Sequence, residues 1–245
     1  MKKILLASGC SFTDPDWWSE FHPEMDTSWP KWPELLAKKL DMDCVNLGAS
    51  GAGNEYIYTS LLDYITNPQK DVSRIGLVIP AWTQCQRRDY QRGLNGRWLN
   101  RRLDVDGDIF GWINKSLKYM LSLQLVCERY NLPYKQFQML NLYRDFMRGL
   151  TVSDHEVKTG KYPKNFKLEY PGNSNRDEKK IVNIITNYED RLDTKNFIGW
   201  PFMNNFGGYS FVYKYLANYY VSESDSHPNK EGQELIAEKL YDRLG

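Results

Sequence analysis

Within the first 82 residues, three continuous apolar runs alternate with two segments of helical spacing, and few folds accept that order. Residues 3 to 8 read as a strand. "WPELLAKKL" (32 to 40), with Pro33 in its first turn and Leu35, Leu36 and Leu40 on one side, reads as a helix. "DCVNLG" reads as a second short strand, "GNEYIYTSLLDYI" places Ile57, Leu61, Leu62 and Ile65 at helical spacing, and "RIGLVIPAW" is a third buried strand. Strands apolar on both faces, joined by helices, predict a parallel sheet with right-handed crossovers.

The remainder extends this pattern. Residues 109 to 130 form the longest apolar periodic helix, "LPYKQFQML" a fourth strand, "KNFIGWPF" a fifth, and "KEGQELIAEKLYDRL" a closing amphipathic helix with Leu235, Ile236, Leu240 and Leu244 on its apolar side. Residues 141 to 195 are charged and loop-rich, with "PGNSNRDEKK" as an exposed turn and "IVNIITNYEDRL" as a short helix. They are expected to be an insertion over the sheet edge or over the site. The predicted fold is one three-layer α/β/α domain over residues 1–245, built on a five-stranded parallel, flavodoxin-like sheet.

Charge and cysteine usage narrow the function. Lys and Arg total 32 against 31 Asp and Glu, so no global field attracts nucleic acid or an anionic membrane. Cys10, Cys44, Cys85 and Cys127 form no C-x-x-C pair, which argues against a zinc knuckle or a thioredoxin-type site and fits reduced thiols. "DVDGD" (104 to 108) fails as a calcium loop, because Ile109 stands where that loop needs glycine and Lys115 where it needs glutamate. No metal and no cofactor are expected. Met1-Lys2-Lys3 precedes about five apolar residues, too few for a signal peptide, and no run approaches the roughly 18 residues of a membrane span. A soluble, cytoplasmic chain of unknown oligomeric state is the expectation.

Open α/β sheets bind ligands beyond the carboxyl ends of their strands. The turns there are "SGCSFTD", "GASGAGN" and "PAWTQCQRRD", with "SESDSHPNKEG" before the last helix. The first leaves three readings: Ser11 as nucleophile, Cys10 as nucleophile, or only a tight turn. Neighbouring residues at a strand end point to opposite sides, so Ser11 and Cys10 do not share one site. A serine hydroxyl needs a base to take its proton, a carboxylate to orient that base, and N–H donors for the developing oxyanion. His227, Asp225 and the backbone N–H groups of Ser11 and Gly51 are the candidates.

These blocks resemble those of the SGNH hydrolase family, the GDSL-type esterases, in order and position. Gly9-Cys10-Ser11 meets the family's Gly-Asp-Ser with Cys10 in place of Asp, which implies Ser11 as nucleophile. "NLGASG" meets the second block, with Gly51 as an oxyanion donor, and "DSHPN" meets the last, with His227 as general base. The third block, Gly-x-Asn-Asp in the family, is "AWTQ" here. Thr83 stands at the oxyanion Asn, with Asn54 and Gln84 as other candidate donors. Asp225 lies two residues before His227 where the family usually has three, and Glu223 is the reserve acid.

The resemblance implies a serine esterase working through an acyl-enzyme, on a small-molecule or glycan ester such as a carbohydrate O-acetyl ester. Transfer of the acyl group to another hydroxyl uses the same parts. The alternative is a non-catalytic glycan- or partner-binding module on the same scaffold. The "GCSFT", "GAGN" and "WTQ" variants are similar to family members encoded by large phages, which implies an optional virion-associated role. Two stretches remain outside these blocks. Arg87, Arg88, Arg92, Arg97, Arg101 and Arg102, interleaved with Tyr90 and Trp98, read as a solvated face or a patch for an acidic glycan or phosphate. Trp17, Trp18, Trp29, Trp32, Trp82 and Trp98 divide between core and cleft.

Overall fold

The computed structural model describes residues 1–93, 96–101, 104, 106–143, 175–199 and 211–244. β1 (Ile4–Ser8), β2 (Asp43–Asn46) and β3 (Ile75–Trp82) pair in parallel, with β1 between the other two. β6 (Gln136–Gln138) and β7 (Phe197–Ile198) complete a five-stranded parallel sheet of order β2-β1-β3-β6-β7. This is the flavodoxin-like order expected from the alternation.

The strand order decides which face each helix covers. β2 lies on one side of β1 and β3 on the other, so right-handed connections place α1 (Trp32–Lys39) and α2 (Asn54–Thr66) on opposite faces. The closing helix, α6 (Lys230–Tyr241), packs on α1 and touches the short α5 (Phe211–Tyr215), while α3 (Ile109–Arg129) packs on α2. Between these layers Leu5, Leu6, Val78, Ile79 and Phe137 are wholly buried. That is why the strands read as continuous apolar runs.

The predicted insertion at 141–195 lies partly outside the described residues, at 144–174, but its last part belongs to the core. Helix α4 (Asn175–Thr186) packs on α3, burying Ile181 and Ile185 completely. Tyr188 donates to Asn114 Oδ1 at 2.8 Å. The charges in "NRDEKK" suggested an exposed turn, yet 175–180 are the first turns of this helix. Isoleucines at helical spacing outweigh that local charge by burying one face. The fifth strand is shorter than "KNFIGWPF", and residues 200–202 of that stretch lie outside the described residues.

The arginine stretch forms an antiparallel hairpin of β4 (Arg88–Arg92) and β5 (Arg97–Arg101). Tyr90 and Leu99 face each other across it, as do Gln91 and Trp98. Its Asp89 is buried and accepts from the backbone N–H of Gly53 and of Tyr56, both at 2.9 Å. The hairpin thus caps α2 from outside its own chain segment. Burial pushes the Asp89 carboxyl up despite those two donors. Among the described residues no helix is long and apolar enough to cross a membrane.

Candidate active site

Strand order reverses between β1 and β3, which opens a crevice at their carboxyl ends. Ser11 follows β1 and Thr83 follows β3 at that point. The turn after β1 closes on itself, with the N–H groups of Thr13 and Asp14 donating to Cys10 O at 2.7 and 3.1 Å. A side chain at Gly9 would collide with Thr13 Oγ1, so only glycine permits so close a turn. Cys10 is wholly buried in the core while Ser11 remains partly accessible. The turn therefore presents the hydroxyl and hides the thiol.

The last turn before α6 brings His227 to this hydroxyl. Asn229 caps that helix by accepting from Gly232 N at 2.8 Å, and Val221 N donates back to His227 O at 2.9 Å. Ser222 and Asp225 exchange backbone hydrogen bonds at 3.2 Å. This turn folds the two-residue Asp225–His227 spacing into a contact. His227 Nδ1 lies 2.5 Å from Asp225 Oδ1, and His227 Nε2 lies 2.8 Å from Ser11 Oγ. Glu223, the reserve acid, is exposed.

Asp225 is 1% exposed. Burial on its own pushes the carboxyl up, but hydrogen bonds from His227 and Ser19, with the charge of the imidazole, outweigh it and lower it to about 2. The His227 ring stands between Trp17, 4.6 Å between centroids, and Phe12, 4.9 Å. These apolar faces restrict its rotation while its two nitrogens face the carboxylate and the hydroxyl.

The candidate oxyanion donors divide sharply. Gly51 adopts φ +78°, a conformation that favours glycine, and neither its N–H nor that of Ser11 donates to an acceptor among the described residues. Its loop is held by Asp14, whose Oδ2 accepts from Ser50 N at 2.8 Å and from Ser50 Oγ at 2.5 Å. The side-chain amide of Asn54 has no N–H left to offer. Its Nδ2 donates to Thr83 O at 3.1 Å and to Ser116 Oγ at 3.0 Å, while its Oδ1 accepts from Thr83 N at 2.8 Å.

Gln138 Nε2 donates to Thr83 O as well, at 3.0 Å. Two amides thus clamp the Thr83 backbone, yet its Oγ1 is buried without a hydrogen-bond partner among the described residues. Gln84 Oε1 accepts from the Arg87 guanidinium at 3.3 and 3.4 Å.

Sequence reading overlooked Asp14, Ser19, Gln138 and Gln233. Gln233 on α6 donates to Phe12 O at 3.2 Å and accepts from Trp32 N at 2.9 Å, locking the histidine-bearing element against the serine turn. These partners are as far as 221 residues apart, so no local pattern signals them.

Two arginines of the basic stretch are matched from within. Arg88 pairs with Asp106 and Asp104, and Arg87 donates to Ala52 O at 2.9 Å. Arg102 lies outside the described residues. Trp32 and Trp82 belong to the core, whereas Trp18 is 59% exposed. A groove of about 520 Å³ between β2 and α2, lined by Val45, Leu47, Tyr56, Tyr64 and Trp98, includes none of the Ser11, Asp225 and His227 set. Among the described residues no three His, Cys, Asp or Glu converge as metal ligands do.

No protein-family model matches the chain, and no curated protein sequence matches it significantly. Solved structures of G-D-S-L and SGNH hydrolases are similar to it at low sequence identity. A G-D-S-L family protein from Desulfitobacterium hafniense DCB-2 is 14% identical with a TM-score of 0.48, covering 99% of this chain and 100% of that one. The psychrotrophic esterase EstA from Pseudoalteromonas sp. is 15% identical with a TM-score of 0.49, covering 99% and 97%. The acetyl xylan esterase AlAXEase is 12% identical with a TM-score of 0.43, covering 99% and 100%. At such distances chemistry has to be read from the site itself.

Proposed function

We propose that this chain is a serine esterase of the SGNH type. The observation that carries this reading is the unbroken hydrogen-bonded series from Ser11 Oγ through His227 to the buried carboxylate of Asp225. Ser11 Oγ attacks the ester carbonyl carbon as His227 Nε2 takes the hydroxyl proton. Asp225 holds the imidazole in the tautomer that leaves Nε2 free and stabilises the imidazolium once it forms. The N–H groups of Ser11 and Gly51, with the Thr83 hydroxyl, receive the oxyanion. Its collapse expels the alcohol, which takes the proton from His227 and leaves Ser11 acylated. Water, deprotonated by His227, then releases the acid and restores the serine.

The substrate class proposed is a carbohydrate O-acetyl ester. Trp18 and Phe21 are exposed on the same connection that sets Trp17 against His227, and aromatic faces there suit the apolar face of a sugar ring. Acyl transfer to a second hydroxyl differs only in the group that replaces water. A scaffold used for binding alone has no need of a hydroxyl, an imidazole and a buried carboxylate in hydrogen-bond reach, so the geometry favours turnover.

Fluorophosphonate labelling with peptide mapping tests the reading. Ser11 is expected to be modified and Cys10 to remain free, and labelling that persists in Ser11→Ala but disappears in Cys10→Ala overturns the assignment. Thr83→Val keeps the side chain's shape and removes its donor. It should lower kcat about tenfold or more on p-nitrophenyl acetate with little change in KM, because the lost bond forms mainly in the transition state. An unchanged kcat would make Thr83 a turn residue only.

A further inference from the structure

The carboxylate of Asp225 is held from behind by a residue to which no motif points. Ser19 lies on the connection between β1 and α1, is 1% exposed, and places its Oγ 2.5 Å from Asp225 Oδ2. Chemistry sets the direction of this bond. The backbone N–H of His22 donates to Ser19 Oγ at 3.1 Å, so the hydroxyl accepts there and turns its own proton toward the carboxylate. The other carboxylate oxygen, Oδ1, accepts from His227 Nδ1 at 2.5 Å and from His227 N at 3.1 Å.

The connection grips the same turn a second time. His22 Nε2 lies 2.7 Å from Ser222 Oγ, which in turn accepts from Asp225 N at 3.1 Å. The titratable groups touching this network are Asp225, His227 and, through Ser222, His22.

We propose that Ser19 is the fourth member of the relay, a positioning residue that orients the Asp225 carboxylate and moderates its charge by donating a hydrogen bond to Oδ2. It acts on Ser11 only through Asp225 and His227. The kinetic consequence rests on the esterase reading, whereas the hydrogen-bond relay exists with or without turnover. Without Ser19 a buried carboxylate oxygen loses its donor. The carboxylate then accepts more strongly from His227, which favours the imidazolium and moves the base's titration to higher pH. A connection that is merely loosened reduces the number of competent molecules and leaves that titration in place.

The test compares Ser19→Ala and His22→Ala with wild type. Active sites are counted by fluorophosphonate, kcat and KM on p-nitrophenyl acetate are followed against pH, and the far-downfield proton of the His227–Asp225 bond is recorded by NMR. In Ser19→Ala, kcat per active site should fall about fivefold to tenfold with KM unchanged, the loss of one charge-assisted hydrogen bond. The acid limb of kcat/KM should move to higher pH and the downfield resonance should move.

His22→Ala keeps the backbone donor to Ser19, so it should lower Tm and leave both the limb and the resonance in place. An unchanged limb and resonance in Ser19→Ala overturn the proposal, as does an equal shift in His22→Ala. If the wild type is neither labelled nor active, the esterase reading fails. The resonance then decides alone: movement in Ser19→Ala supports the relay and constancy overturns it. Should Ser19→Ala not fold, Ser19→Cys, similar in volume but a weaker donor, is judged by the same criteria.

Discussion

Ser11→Ala and His227→Ala are each expected to remove nearly all hydrolysis of p-nitrophenyl acetate, by about 10⁵-fold or more, while the double variant is hardly slower than either alone. Nucleophile and base act as a unit here because one hydrogen bond of 2.8 Å joins them. Removing the imidazole leaves Ser11 as an ordinary alcohol, and removing the hydroxyl leaves His227 nothing to activate. Ser11→Ala should retain the wild-type Tm closely, since Ser11 is partly accessible and the core lies elsewhere, whereas His227→Ala should lower it by leaving the buried Asp225 carboxylate without its imidazole partner. Multiplicative losses in the double variant would show that the two residues act separately, and steady-state rates measured on matched active-site counts distinguish the cases.

Asp225→Asn is expected to lower kcat by about 10³- to 10⁴-fold with little change in KM. The Ser19 hydroxyl donates to one side of this group, so the incoming amide settles with its oxygen toward Ser19 and its NH₂ toward His227 Nδ1. That nitrogen then has to accept, which forces the proton onto Nε2, where the base is needed. A kcat within tenfold of wild type would remove Asp225 from the relay.

The same variant carries a signature in stability. The Asp225 carboxyl is held at about 2 in the folded chain against an ordinary value of 3.8. Such a depression corresponds to about 2 kcal/mol of folding stability at neutral pH. This contribution is complete above the unfolded value and is lost as pH falls toward the folded one. Denaturant unfolding should therefore show the gap between wild type and Asp225→Asn at neutral pH narrowing as pH approaches about 2.

The fold was legible where burial is continuous along the chain. β1 and β3 run through the middle of the sheet, covered on both faces, so their apolar runs stand out in sequence, and the spacing of α1, α2, α3 and α6 follows from having one face against that sheet. The hairpin of β4 and β5 was not legible, because its strands carry arginines and its function is to offer Asp89 to a distant helix end. Nor was the start of α4, where charged residues precede the isoleucines that bury it.

The site divides along the same line. Ser11, Gly51 and His227 lie in short blocks beside strand ends and a helix start, where local backbone demands leave a pattern of small residues, and such patterns survive in one dimension. Sequence alone thus determined the parallel sheet, the turns worth inspecting and the chemical types at each. Only the tertiary structure decided that Asn54 clamps the Thr83 backbone with its amide N–H and its amide oxygen, that Asp14 holds the Gly51 loop, and that Ser19 closes the back of Asp225. The physical reason is reach: a hydrogen bond is made within about 3 Å, but its partners here are brought together from up to 206 residues apart by the packing of helices on the sheet.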